Sequence, residues 1–150
     1  MLNNFDTLDM KEKPQYNESD LKDHLGVWLW LQNEEGEILM QYHKKFGCWT
    51  IPLEKSDPGE TLEEAIVRTG KEELGIDIKE YEVVHQQEDS YIRNGQIVNV
   101  RASLIKVNDY QGIPSNMEPE KHTDFGWKST EFVLGLEDST DAVKALQKYI

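Results

Sequence analysis

The segment PGETLEEAIVRTGKEELGI, residues 58–76, carries the clearest structural signal in this chain. Thr61 is followed three residues later by Glu64, and this capping-box pattern predicts a helix that begins there. The apolar stripe of the predicted helix consists of Leu62, Ala65, Ile66 and Leu74. Gly75 predicts a left-handed cap that ends the helix. Gly70 lies inside it, where glycine costs on the order of 1 kcal/mol relative to alanine.

Carboxylates are concentrated in and around this helix. Residues 54–80 hold nine of them against four basic side chains. Charges at i, i+4 spacing are typical of a solvated face held by ion pairs. In this segment the charges at that spacing are those of Glu60, Glu64, Arg68 and Glu72. Glu72 and Glu73 support a second interpretation, because adjacent helix residues point about 100° apart and both can reach a cation at the seam between them. Mg²⁺ typically takes one or two carboxylates, with waters and substrate phosphates completing its shell.

Strand-like segments precede the helix. LGVWLWLQ at residues 25–32 and EILMQYH at residues 37–43 surround the turn signal Asn33-Glu34-Glu35-Gly36 and predict a hairpin. Within it Trp28 and Trp30 are expected in the core, with base stacking as the alternative. A short strand at residues 47–52 then ends at a proline.

Strand-like segments also follow the helix. Residues 81–88 and 96–107 predict a second hairpin around Arg93-Asn94-Gly95. A polar loop at residues 109–123, a short strand at residues 125–128 and a terminal helix at residues 138–150 complete the pattern. Strands on both sides of one charged helix predict an α+β or α/β/α sandwich.

Composition restricts the classes of function. The 150 residues carry a formal net charge of −13, whereas a protein that coats nucleic acid needs a field of Lys and Arg. Divalent cations can still bring phosphates to an acidic protein. The single cysteine removes a disulfide framework, and no bilayer-spanning run or signal-peptide core is apparent. We expect a polar N-terminal arm at residues 1–20 and one domain at residues 21–150, in a cytoplasmic protein that does not act at a membrane. Whether it forms a homodimer stays open.

The helix segment resembles the signature of the Nudix (MutT-like) hydrolases. That signature is a glycine, five residues, glutamate, seven residues, Arg-Glu, an aliphatic residue, any residue, Glu-Glu, any residue, glycine and an aliphatic residue. Its slots are filled at the right spacing by Glu60, Arg68, Glu72, Glu73, Gly75 and Ile76. The resemblance covers about residues 25–150, because Trp49-x-x-Pro52 precedes the loop and Glu118-Pro119-Glu120-Lys121 precedes Trp127. It implies a Nudix-type α/β/α sandwich with a mixed central β-sheet.

Three slots of the signature depart from the pattern. The opening glycine is Glu54, the glutamate after the arginine is Thr69, and the next aliphatic residue is Gly70. In the family the glycine carbonyl and glutamates at the positions of Thr69, Glu72 and Glu73 surround Mg²⁺ or Mn²⁺. A threonine hydroxyl can hold a water but cannot act as a carboxylate does. Two interpretations stay open: hydrolysis with a reduced metal site and a base from elsewhere, or nucleotide binding without turnover.

The resemblance implies a Mg²⁺- or Mn²⁺-dependent hydrolase that cleaves the diphosphate linkage of a nucleoside triphosphate or another nucleoside diphosphate derivative. A nucleotide sugar of the GDP-mannose type is the alternative substrate, because that Nudix group also lacks the glutamate after the arginine. The loop of that Nudix group has a pattern of histidine, acid, aromatic residue and tryptophan, to which residues 122–127 are similar. In that group the histidine is the general base. His122 is therefore the candidate base here, beside Glu118 and Glu120.

The resemblance also predicts which residues form the site. The predicted metal ligands are Glu72, Glu73 and Glu60, and the predicted catalytic residues are Glu72, Glu73, Glu118, Glu120 and His122. The predicted substrate-binding residues are Arg68, Lys44, Lys45, Lys55 and Phe46, with Trp28 and Tyr42 as further stacking candidates. Arg68 is expected to position the glutamates, and the lysines have surface solubility as their alternative role. A purely structural acidic interaction protein is the third class of function, in which neither metal nor nucleotide changes stability.

Overall fold

A computed structural model describes residues 22–150 of the chain. The predicted arm at residues 1–20 lies outside the described residues. Along the chain the elements are β1 (His24–Trp30), β2 (Ile38–His43), β3 (Cys48–Thr50), β4 (Leu53–Lys55), α1 (Leu62–Thr69), a π-helical turn (Gly70–Leu74), β5 (Asp77–Arg93), β6 (Gln96–Gln111), β7 (His122–Lys128), α2 (Thr130–Leu134) and α3 (Asp141–Gln147). No helix in this part of the chain combines the length and apolar character needed to cross a membrane.

The strands form a mixed sheet and a smaller antiparallel one. The first has the order β4-β1-β6-β5, with β1 parallel to β6 and antiparallel to β4, and the second has the order β3-β2-β7. The predicted pairing of β1 with β2 is wrong, because both edges of β1 are occupied by β4 and β6. The turn between β1 and β2 is present, and on either side of it Gln32 and Ile38 form an isolated antiparallel bridge.

Alternate residues of β1 face two separate apolar cores, as the two-residue period of a strand requires. Trp28 and Trp30 pack in the core that contains side chains of α2 and α3. Val27 and Leu29 pack in the core that contains side chains of α1 and the π-helical turn. Burying each of these large side chains contributes about 2 kcal/mol. Helices therefore cover both faces, and the predicted α/β/α sandwich with a mixed sheet is confirmed.

The central helix begins as predicted but ends differently. Thr61 Oγ1 accepts a hydrogen bond from the Glu64 N–H, and the Glu64 side chain accepts one from the Thr61 N–H, which completes the capping box. The α-helix ends at Thr69, and residues 70–74 form the π-helical turn before Gly75, whose φ of 67° closes it. Gly70 is buried, and a Cβ there would lie 2.8 Å from Ile78 Cδ1. A side chain at residue 70 would therefore require Ile78 to move.

Several element bounds differ from the sequence-based expectations. Strand β5 begins at Asp77 and not at residue 81, and β6 continues to Gln111. Strand β7 begins at His122 and not at residue 125, whereas α3 is shorter than predicted. Cross-strand hydrogen bonds extend the strands through polar residues that an apolar pattern does not include.

Candidate metal and active site

Arg68, near the end of α1, is the centre of an ion-pair network. Its Nε donates to Glu60 Oε2 at 2.8 Å and its Nη2 to Glu60 Oε1 at 3.0 Å, which makes a bidentate pair. Nη1 donates to Glu72 Oε2 at 3.0 Å, and Nη2 also donates to the Lys55 carbonyl oxygen at 2.9 Å. Asp57 Oδ2 lies 3.2 Å from Arg68 Nε. The Arg68 network therefore ties the loop before α1 to the turn after it.

This network engages two of the predicted metal ligands. Hydrogen bonds from Arg68 hold the pKa of Glu60 below its usual value, and Glu60 raises the pKa of the guanidinium. Glu60 and Glu72 both direct carboxylate oxygens at Arg68. Their role as metal ligands stays a prediction. The engagement of Arg68 with protein partners agrees with the expectation that it positions the glutamates.

Glu73 faces the interior although Glu72 beside it is exposed. Glu73 is 2% exposed, whereas 55% of the Glu72 side chain is accessible. One carboxylate oxygen each of Glu73 and Glu118 and one ring nitrogen of His122 lie within 4.8 Å of one another. Glu73 Oε1 is 3.8 Å from His122 Nε2. We call these three residues the buried cluster; the structure thus brings together three of the predicted catalytic residues.

The loop before β7 is fastened to the end of the π-helical turn and so places Glu118 and His122. The Ser115 N–H donates to the Leu74 carbonyl oxygen at 2.9 Å. The Met117 N–H donates to the Glu73 carbonyl oxygen at 3.4 Å. The Glu118 carbonyl oxygen in turn accepts the His122 N–H at 3.0 Å. These backbone bonds hold the loop beside Glu73 without using its carboxylate.

The charges of the buried cluster are interdependent. Burial raises the pKa of Glu73, and a hydrogen bond with Glu118 and repulsion from Glu54 and Glu118 raise it further. The same hydrogen bond, with help from Lys121, holds the pKa of Glu118 below its usual value. Glu73 therefore keeps the shared proton. Burial lowers the pKa of His122, so its imidazole is neutral at pH 7. A cation that replaced the proton would relieve the repulsion between the carboxylates.

Glu54 on β4 adds a further carboxylate near the cluster. Burial raises the pKa of Glu54, and the nearby charges that act on it include Lys121, Arg68 and Glu118. The sequence pattern treated this residue only as a missing glycine. Thr69 is fully buried, and its hydroxyl donates to the Ala65 carbonyl oxygen at 2.7 Å. The chain thus lacks a carboxylate at residue 69 and has one at residue 54.

Sequence reasoning missed two polar residues of β2. Gln41 is 1% exposed, and its Nε2 donates to His122 Nε2 at 3.0 Å and to Glu73 Oε1 at 3.5 Å. The His43 ring stacks on Phe46 with centroids 3.6 Å apart, and its Nδ1 accepts the Phe46 N–H. Burial and the charges of His122 and Lys121 lower the pKa of His43 to about 4. A glutamine amid the apolar residues of ILMQYH was the available signal.

The remaining predicted residues lie around this site or outside it. The Lys44 N–H donates to the Lys121 carbonyl oxygen at 2.9 Å, which places Lys44 beside the loop that carries Glu118. Glu120 is exposed on that loop. Trp28 is 3% exposed inside a core, so its proposed stacking on a base is wrong. The roles of Lys44, Lys45, Lys55, Phe46 and Glu120 stay predictions.

A groove of about 800 Å³ lies on another part of the described surface. It runs between residues 22–25, the loop at residues 56–60 and the strand segments 88–90 and 99–101. No residue of the buried cluster lines it. The three catalytic candidates of the buried cluster therefore lie outside this groove.

The NUDIX domain family model matches residues 22–145. The chain belongs to the NUDIX family. Among solved structures it is similar to a MutT NUDIX hydrolase from Burkholderia pseudomallei, at 25% identity and a TM-score of 0.70 over 85% of this chain and 98% of that one. No curated protein matches the sequence.

Two further solved structures share the NUDIX fold. The MutT protein from Bacillus halodurans is 23% identical with a TM-score of 0.66, over 83% of this chain and 80% of that one. The C. elegans Ap4A hydrolase is 23% identical with a TM-score of 0.56, over 86% and 94%. The family and the Burkholderia structure support a hydrolase of the NUDIX class.

The buried cluster fits the divalent metal that NUDIX hydrolases generally use. Two carboxyl groups and an imidazole converge there, and burial and the charges of Glu54 and Glu118 oppose the ionisation of Glu73. Glu73 and Glu118 would hold such an ion, since carboxylate oxygens are the donors that Mg²⁺ and Mn²⁺ accept.

Proposed function

We propose that this protein is a metal-dependent NUDIX hydrolase that cleaves the diphosphate linkage of a nucleoside triphosphate or related nucleoside diphosphate derivative. The observation that carries the proposal is the convergence of the buried Glu73 carboxyl with Glu118 and His122, where burial opposes the ionisation of Glu73 and a cation would favour it. Similarity to a MutT hydrolase and to an Ap4A hydrolase supports a nucleotide with a phosphate chain as the substrate.

Glu73 and Glu118 are the proposed ligands of Mg²⁺ or Mn²⁺. The ion, when bound, would neutralise phosphate oxygens and lower the pKa of a nearby water. Lys44 and Lys121 lie side by side near the cluster and add positive charge for the phosphate chain. Arg68 holds the loop and helix in register and does not contact substrate in this proposal.

Glu118 is proposed to combine two roles: one of its carboxylate oxygens would hold the ion, and the other would act as the general base. Its pKa is held below the usual value, so it is ionised at neutral pH and can accept a proton from the attacking water. Its side chain is 23% exposed, whereas His122 is 2% exposed and less able to reach a water on the substrate. One water adds across each P–O–P bond that breaks, and Glu118 takes its proton.

Glu54 is proposed to offset the missing carboxylate at Thr69. Its charge interacts with those of Glu73, Glu118 and Lys121, so it adds negative potential to the same region. The charges of three carboxylates would then act on the ion, although that of Glu54 would come from β4 and not from α1. This exchange would allow metal binding despite the departures at two slots.

Turnover on a substrate panel tests this function. The protein is incubated with Mg²⁺ or Mn²⁺ and nucleoside triphosphates, dinucleoside polyphosphates and nucleotide sugars, and the phosphate-containing products are measured. At least one class is expected to be hydrolysed, and Glu73→Gln is expected to reduce the rate by at least about tenfold. Sugar nucleotides as the only substrates would favour the GDP-mannose-type alternative.

Nucleotide binding without turnover is the second candidate, and the threonine at residue 69 favours it. A ligand that binds the folded state raises the unfolding temperature whether or not it is cleaved. Stabilisation by nucleotide, with no product from any class in the panel, would therefore replace the hydrolase by a binding protein.

A further inference from the structure

We infer that His122 is itself a metal ligand, and that the buried cluster consequently selects a first-row transition ion such as Mn²⁺ or Co²⁺ over Mg²⁺. This inference rests on the proposed function, because it concerns the same cluster. It goes further by giving the imidazole a role other than general base and by naming the class of ion.

The contacts of Gln41 show where the lone pair of His122 points. An amide NH₂ can only donate, so His122 Nε2 is the acceptor in its 3.0 Å hydrogen bond with Gln41 Nε2. The same Nε2 of Gln41 donates to Glu73 Oε1 at 3.5 Å. An imidazole lone pair and a carboxylate oxygen thus converge on one electropositive group. This is the environment that a cation would occupy.

Two almost completely buried side chains of this site have unsatisfied polar atoms. Gln41 is 1% exposed and its Oε1 lacks a hydrogen-bond partner among the described residues. Half a turn about the terminal torsion of Gln41 would exchange Nε2 for Oε1 and direct an oxygen donor at an ion. His122 is 2% exposed, and its Nδ1 likewise lacks a partner there. An unsatisfied oxygen on a buried amide is costly, and an ion beside His122 Nε2 would give the Gln41 Oε1 atom a partner.

The chemistry of the donors decides which ion is favoured. Mg²⁺ prefers oxygen ligands and keeps several waters, whereas imidazole nitrogen is a ligand for first-row transition ions, with Co²⁺ bound more tightly than Mn²⁺. As the Gln41 amide is oriented, His122 Nε2 accepts its hydrogen bond, so this nitrogen presents a lone pair that can bind an ion. Burial also keeps its ring away from bulk water, which suits a ligand better than a base.

Metal titrations of the full-length protein test this inference without nucleotide. Mn²⁺ binding is followed by the loss of its free EPR signal, and Mg²⁺ binding by its competition with Mn²⁺. The wild type is expected to bind Mn²⁺ at least about tenfold more tightly than Mg²⁺. His122→Gln should weaken Mn²⁺ binding by at least about tenfold and change Mg²⁺ binding by less than about threefold.

His85→Gln is the matched control, because His85 lies on β5 and bonds to Gln87 and Tyr149, away from the cluster. It should leave both affinities unchanged. Equal weakening of Mn²⁺ and Mg²⁺ by His122→Gln, or no weakening of Mn²⁺, would overturn the inference. A wild type that binds neither ion, or binds Mg²⁺ as tightly as Mn²⁺, would also overturn it.

A measurement on the wild type guards against misfolding of the His122 variant. In ¹⁵N spectra of the histidine rings, diamagnetic Zn²⁺ should move the His122 Nε2 resonance to a metal-bound position, and Mg²⁺ should not. An unmoved resonance at saturating Zn²⁺ would contradict ligation. None of these measurements depends on hydrolysis. The inference can therefore hold if the proposed reaction fails, and the reaction can occur if the inference fails.

Discussion

Two neighbouring groups of charged residues meet opposite environments at the end of the same helix. In the Arg68 network every acid faces a cation, and the charges compensate one another near the surface. In the buried cluster Glu73 meets Glu118 and His122 inside the protein, and its nearest charged neighbours repel it. The network is complete without a ligand, whereas in the cluster Lys121 pairs with Glu118 at 3.1 Å and burial still opposes the ionisation of Glu73. The number of carboxylates is thus a weaker guide to a site than the environment that each of them meets.

The largest expected difference separates Glu73→Gln from Glu72→Gln. Glu73→Gln removes a proposed ligand and should lower Mn²⁺ affinity by about 10²-fold, because the remaining donors include only one carboxylate of the cluster. Glu72→Gln removes an exposed partner of Arg68 and should lower affinity by less than about threefold. Calorimetric titration with Mn²⁺ measures both variants. A larger loss for Glu72→Gln would restore the sequence-based assignment of Glu72 as the main ligand.

Arg68→Gln should lower the free energy of unfolding by about 2–3 kcal/mol, because it leaves Glu60 without its bidentate partner and the Lys55 carbonyl without a donor. Arg101→Gln is the control, since its ion pair with Glu88 is exposed on both sides and should contribute less than about 1 kcal/mol. Urea unfolding gives both values. If the two substitutions cost the same, the Arg68 network is no more than an ordinary surface contact.

Moving the carboxylate back to its family position tests whether Glu54 compensates for Thr69. Glu54→Gly alone should weaken Mn²⁺ binding by about 3–10-fold, because it removes negative potential from the cluster. Adding Thr69→Glu to that variant should recover most of the loss. Gel filtration and circular dichroism check that the double variant is folded. Failure of Glu54→Gly to change affinity would show that this side chain plays no part in metal binding.

The smallest expected effect concerns the junction between α1 and the π-helical turn. Gly70→Ala should destabilise the protein by about 1 kcal/mol, because a methyl group would overlap Ile78. In an ordinary helix the same change would stabilise by a similar amount. Ile78→Val removes the Cδ1 atom concerned, so Gly70→Ala should cost less in that background. Thermal unfolding of the four proteins gives the coupling, and additive effects would exclude the overlap as its cause.

The fold was largely predictable from residues 58–76 and the strand patterns around them. The capping box at Thr61 and the left-handed Gly75 were readable because both depend on local backbone chemistry. The pairing of β1 with β6 could not be predicted, since it joins residues 76 positions apart. The π-helical turn also escaped prediction, because the sequence pattern continues the helix through residues 70–74.

The site was predictable only in part. The resemblance to the family identified Glu73, Glu118 and His122, which the structure brings together. It could not separate Glu72 from Glu73, because their difference arises from which one faces Arg68 and which one faces the interior. Gln41 was missed because its contacts come from a strand far from the helix in sequence.

The position of a bound ion is the most direct test of the difference between the two groups. Crystals soaked with Mn²⁺ should show an anomalous difference peak within coordination distance of Glu73, Glu118 and His122 Nε2, with the Arg68 network unchanged. A peak between Glu60 and Glu72, with Arg68 displaced and the buried cluster empty, would contradict the proposal that the buried cluster is the metal site.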